Sequence, residues 1–220
     1  FLSAVHKAIG HYKTPYTKNG SIPYYLDSNG RYEQKDFLLR FLDHAKKIRA
    51  FDQIAVIEEP FDESNEVYAG DMGVIIAADE SAHTVEDAAR RIEQGYNAIV
   101  LKGIAKTLSM TLKISQLTYE KQIPCFCADL TVNPILVDWN KCVAARLSPF
   151  PKMSIGVLES NGPQYYKNWL KMMTYHPKAG AIWTKTRNGA YSTDKSFYEE
   201  SGGIFQPAAH YVELFKDTGN

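Results

Sequence analysis

The 220 residues carry 25 Lys and Arg against 25 Asp and Glu, a formal net charge of zero, and 45% of them are hydrophobic. That balance is ordinary for a globular protein and argues against a chain that binds nucleic acid or a membrane surface through charge. No apolar run approaches the roughly 18–20 residues of a membrane helix, and three cysteines make no disulfide framework, which points to a reducing cytoplasm.

The chain opens Phe1-Leu2-Ser3-Ala4-Val5-His6-Lys7, without the basic start and long apolar stretch of a signal peptide and without an initiator Met. The expectation is a piece of something longer, opening inside a helix marked by Leu2, Val5 and Ile9. Apolar runs follow at Pro23–Leu26, Ile54–Ile57, Val74–Ala78, Ala98–Leu101, Ile123–Ala128 and Ser154–Leu158. They are rich in Val, Ile and Leu and do not strictly alternate, which suits strands buried on both faces of a parallel sheet.

Helical patterns lie between the runs. Phe37, Leu38, Phe41, Leu42, Ala45 and Ile48 form one stripe, predicting a helix over Gln34–Arg49. Thr84 is a natural N-cap with Asp87 three residues on, and Gly95 a natural stop. Leu108–Lys121 and Ile135–Leu147 read as two more helices, the second entered through Pro134. Beyond residue 160 the character changes to Tyr, Gly, Lys and Ser. Trp169, Met172 and Met173 suggest another helix, and Asn188-Gly189 a hairpin turn between Ala181–Thr186 and Ala190–Thr193. The reading divides the chain into a partial (β/α) barrel over 1–160 and a C-terminal extension over 161–220.

Each apolar run ends in a charged residue. Asp27, Glu58, Asp79, Lys102, Asp129 and Glu159 follow one another at intervals of roughly 20 to 30 residues, the size of one β/α unit. Parallel strands bring such residues to one rim, which in a closed β/α barrel is the active-site rim. Three carboxylates converging there repel unless a cation lies between them, and oxygen-only ligands favour a hard ion, Mg²⁺. Lys102, on the next strand, would face that ion with its ammonium form disfavoured, which suits it to act as a base. A metal and a lysine together can remove a proton next to a carboxylate, the metal holding the enediolate that forms.

The local wording supports this. Leu26-Asp27-Ser28-Asn29-Gly30, Ile57-Glu58-Glu59-Pro60, Ala78-Asp79-Glu80-Ser81 and Val100-Leu101-Lys102 resemble, in order and spacing, the successive strand-end motifs of the enolase superfamily, in its mandelate racemase and muconate-lactonizing branch. The resemblance covers roughly residues 20–160 and implies the C-terminal portion of a TIM-type (β/α) barrel. It implies Asp27, Glu58 and Asp79 as Mg²⁺ ligands, Lys102 as the acid/base, and Asn29 and Glu80 as residues near the metal without direct ligation. Glu159 falls where some members place an acidic residue, and Asp129 is a further candidate catalytic group. Departures are visible too. The Lys-x-Lys pair of the second barrel strand is absent, Cys125-Phe126-Cys127-Ala128-Asp129 has no histidine, and the loop after Lys102 lacks a double glycine.

Plainer readings stand beside these. A single strand-end acid commonly caps the next helix, which is the alternative for Asp129 and for Glu159 with its turn Ser160-Asn161-Gly162-Pro163. Glu59 reads as a salt-bridge partner, and Cys125 and Cys127 as small core residues. The expected function is α-proton abstraction from a small-molecule carboxylate, leading to racemisation, epimerisation, dehydration or cycloisomerisation. Six strands cannot close an eight-stranded barrel, so the missing strands are expected from a longer chain, a homo-oligomer or a complementing chain. The competing expectation is a degenerate homologue that keeps the ligands and acts as a binding or assembly module.

Overall fold

The structure is a computed structural model and describes residues 1–128 and 131–216. Asp129 therefore lies outside the described residues. The first apolar runs become β1 (Tyr24–Asp27), β2 (Ile54–Glu58), β3 (Ile76–Ala78), β4 (Ala98–Leu101) and β5 (Cys125–Cys127), in one sheet of order β1-β2-β3-β4-β5. The β1–β2, β2–β3 and β3–β4 pairs are parallel. A parallel sheet whose neighbours are also consecutive in sequence has no point where the order reverses. That is the order of a barrel wall, in contrast to a doubly wound sheet. Every residue of β3 and β4 is buried, as their unbroken apolar sequences require.

The sixth run, Ser154–Leu158, does not form a strand of its own. It contributes a single parallel bridge between Leu158 and Cys127. Ser154 instead donates its N–H to the carbonyl of Tyr16 at 2.9 Å, and Pro151 and Gly156 interrupt the run's surroundings with turn-forming residues.

Two compact units interleave along the chain. The first comprises Phe1–Leu101, Leu108–Phe126 and Ser148–Gly156. It contains α1 (Leu2–Ile9), α2 (Lys35–Lys47), α3 (Val85–Glu93) and α4 (Leu108–Glu120). Helix α3 begins as its sequence dictates. Thr84 Oγ1 accepts the N–H of Asp87, and the Asp87 carboxylate accepts the N–H of Thr84, each at 3.1 Å. Gly95, with φ of +86°, stands just past the helix end. Tyr25, Phe126 and Phe150 meet edge to face, each successive pair of centroids 5.4 Å apart.

Residues 59–75, between β2 and β3, contain no helix, unlike the crossovers that follow β1, β3 and β4. A buried arginine holds this loop. Arg91 donates to the carbonyls of Asn65 (2.9 Å) and Glu63, and to the Gln94 side chain at 2.7 Å. These bonds satisfy backbone groups that a helix would have paired internally.

The second unit comprises Lys102–Thr107, Cys127–Leu147 and the chain from Val157 onward. It holds α5 (Pro134–Ala144), α6 (Gly162–Tyr165), α7 (Trp169–Thr174), the hairpin β6 (Thr186–Arg187) and β7 (Ala190–Tyr191), α8 (Lys195–Glu200) and α9 (Ala209–Lys216). The hairpin turns on Asn188 and Gly189, at φ of +53° and +79°, the two positive values that a type I′ turn needs. Its strands are shorter than expected, because Ile182–Thr184 form a turn of 3₁₀ helix. No helix among the described residues is long and apolar enough to cross a membrane.

Candidate metal centre

The rim is built by register. Asp27 lies opposite Glu58 in the β1–β2 ladder, and Glu58 opposite Ala77 in the β2–β3 ladder. Side chains alternate along a strand, so Asp79, two residues beyond Ala77, emerges on the same side. Immediately after β3 the chain turns, with the N–H of Ala82 bonded to the carbonyl of Asp79 at 3.0 Å. That turn swings Glu80 back toward its neighbour. Glu58, Asp79 and Glu80 each place a carboxylate oxygen within 4.8 Å of the others. Glu58 is 3% and Asp79 1% exposed, whereas Glu80 reaches solvent.

Two carboxylates about 5 Å apart repel by about 3 kcal/mol at an effective dielectric of 20. Three such groups, two of them buried, form a cluster of oxygen donors close enough to share one cation. The donor set is oxygen alone, and it is partly buried and open on the Glu80 side. This fits a hard divalent ion that keeps some water, as Mg²⁺ does.

The structure brings together two of the three expected ligands. Asp27 is exposed, and its carboxylate accepts from the Asn29 backbone N–H (3.0 Å) and from Asn29 Nδ2 (2.6 Å), outside the group of three. Glu80, expected to stand off the metal, is inside it. The segments after β1 and β2 run side by side. The N–H groups of Ser28, Gly30 and Tyr32 donate to the carbonyls of Glu58, Glu59 and Pro60 at 3.0, 2.7 and 2.9 Å.

Lys102 follows β4 directly and is buried. It belongs to the second unit, where its carbonyl accepts the N–H of Lys106 at 2.9 Å. Glu159, in the same unit, donates its N–H to the Cys127 carbonyl at 2.9 Å and accepts from Asn161 Nδ2 at 2.7 Å. Burial pushes the Cys125 thiol up, against weaker opposing hydrogen bonds from Thr118 and Ser115; Cys125 is half-buried and Cys127 fully buried.

No protein-family model and no curated protein sequence matches the chain. Solved structures do match, and they share the fold of the C-terminal portion of a TIM-type (β/α) barrel. A mandelate racemase/muconate lactonizing protein from Herpetosiphon aurantiacus superposes with a TM-score of 0.61 at 18% identity, over 76% of this chain and 44% of that one. An N-succinyl Arg/Lys racemase from Bacillus cereus gives 0.58 at 16% identity, over 76% and 42%. A dipeptide epimerase from Enterococcus faecalis, complexed with Mg and the dipeptide L-Leu-L-Tyr, gives 0.56 at 21% identity, over 73% and 42%. The chain thus spans less than half the length of these structures, and the enolase-type resemblance read from its strand ends agrees with the fold they share.

Proposed function

We propose that this chain carries the metal-binding rim of a Mg²⁺-dependent racemase or epimerase that abstracts the α-proton of a small carboxylate substrate. The observation that carries the reading is the convergence of Glu58, Asp79 and Glu80 within 4.8 Å at the ends of adjacent parallel strands. Glu58 and Asp79 would hold the ion, with Glu80 or a reoriented Asp27 completing the set. When bound, the ion supplies positive charge that offsets the negative charge growing on the substrate carboxylate as the proton leaves.

The chain's own groups do the rest. Burial of the Glu58 and Asp79 carboxylates keeps the charge interaction strong. Lys102, at the end of the strand paired beside β3, is the group we assign to take the α-proton at its Nζ. Glu159 is the candidate second acid. Return of the proton to the opposite face gives racemisation or epimerisation. Loss of a β-substituent would give a lyase, and ring closure a cycloisomerase. That the matched structures include an N-succinyl Arg/Lys racemase and a dipeptide epimerase supports the first outcome. We assign the chain to the cytoplasm on its three free cysteines.

The test is proton exchange in D₂O with Mg²⁺ and a panel of α-hydroxy acids, sugar acids and dipeptides. Deuterium should enter the α-position of at least one class, and Lys102→Ala should abolish its entry. Mg²⁺ binding without exchange on any substrate would favour a binding module instead.

A further inference from the structure

Glu59 stands next to a candidate ligand and reads in the sequence as a salt-bridge partner, yet it is 2% exposed. It makes no ion pair among the described residues. Its backbone adopts φ of +35°, a region that non-glycine residues enter at a cost. Four hydrogen bonds run through it. Its N–H donates to the Ala77 carbonyl at 2.9 Å, and its own carbonyl accepts the Gly30 N–H at 2.7 Å. Its Oε2 accepts the N–H of Asp79 at 2.6 Å and that of Ser81 at 3.2 Å. One residue therefore ties the end of β2 to the segments that leave β1 and β3.

We infer that Glu59 is a positioning residue of the metal centre, one whose carboxylate holds the Asp79–Ser81 turn against the end of β2 and so sets the spacing of Glu58, Asp79 and Glu80. This rests on the metal reading above. Its logic is local. Asp79 and Glu80 approach Glu58 through the turn after β3, and two of the bonds that hold that turn end on the neighbour of Glu58. A carboxylate accepts two backbone N–H groups more strongly than a neutral acceptor does, which offsets the burial of its charge. Oε2 is occupied by those N–H groups while Oε1 is buried without a hydrogen-bond partner among the described residues, and the group of three does not include Glu59, which therefore acts through the turn.

Three variants separate this role from general stabilisation. Glu59→Gln keeps an acceptor oxygen at the same reach. Glu59→Asp withdraws it by one methylene, and Glu59→Met removes it. Calorimetric titration with MgCl₂ should leave Glu59→Gln within about threefold of the parent, while Glu59→Asp and Glu59→Met lose about tenfold to a hundredfold in affinity. Circular dichroism and thermal unfolding run alongside. If Glu59→Met does not fold, Glu59→Asp decides. Folded Glu59→Asp that binds Mg²⁺ like the parent, with only Tm lowered, overturns the inference and leaves the metal reading intact. A parent chain that binds no Mg²⁺ overturns the metal reading itself.

Discussion

Asp138 and Lys141 form an ion pair one turn apart on α5, with side chains 2% and 4% exposed. The pair is the centre of a buried polar cluster. His176 Nε2 lies 3.0 Å from the second oxygen of Asp138, and His176 Nδ1 accepts the N–H of Lys178 at 2.9 Å. Lys141 Nζ also donates to the Trp183 carbonyl at 2.6 Å and sits 3.8 Å from the centre of the Tyr191 ring. Helix α5 is thereby fastened to the segment from residue 176 to 191. Asp138→Asn leaves a buried ammonium without its anion and is expected to cost about 3–5 kcal/mol, read by urea unfolding.

The same pair predicts a pH response. Burial lowers the Lys141 pKa from 10.5, and Asp138 opposes that shift. Between the lowered native value and the unfolded value the unfolded chain holds the extra proton, so this group adds stability as pH rises through that window. Asp138→Asn removes the opposition and widens the window toward neutrality. The variant should therefore recover stability from pH 7 to pH 10 more steeply than the parent, measured as the urea midpoint.

Tyr96 titrates in the opposite sense. It is 1% exposed, and its hydroxyl has no hydrogen-bond partner among the described residues. Burial, helped by the charge of Glu59, pushes its pKa up to about 12 from 10.0. The native chain then holds the proton longer than the unfolded one. Its contribution is fully present below pH 10 and is lost as pH rises toward 12, by about 2–3 kcal/mol. Tyr96→Phe should flatten that alkaline decline. At pH 7 it should be neutral or slightly stabilising, because it removes a buried unbonded hydroxyl.

Gly30 marks a close approach at the rim. Its φ is +70°, and a Cβ there would lie 3.2 Å from Asp62 Cα and 3.3 Å from Asp62 N, both backbone atoms. Gly30→Ala should cost about 1–3 kcal/mol, seen in chemical unfolding. It should also weaken Mg²⁺ binding, since the Gly30 N–H to Glu59 carbonyl bond would shift.

The frame of this rim is legible in the sequence because it depends on local signals. Unbroken apolar runs give β1 to β5 within a few residues, and Thr84 with Asp87 gives the start of α3 through a reciprocal cap. Glu58 and Asp79 follow from strand ends and side-chain alternation. Glu80 does not, because alternation points it away from Asp79 and only the turn closed by Ala82 returns it. Glu59 is equally hidden, since two adjacent glutamates look alike until one accepts N–H groups from the turn that follows β3. Helix α5 shows the same limit. Asp138, Asn140 and Lys141 are all buried on it, and the Trp183 carbonyl that accepts from Lys141 lies far along the chain, where no local pattern shows it.

A calorimetric titration of the folded chain with MgCl₂ reads whether Glu58 and Asp79, with Glu80 beside them, hold one divalent ion. Saturable binding of one equivalent is expected, weakened at least about tenfold by Asp79→Asn or Glu58→Gln. No binding by the parent, or unchanged binding by both variants, would contradict it.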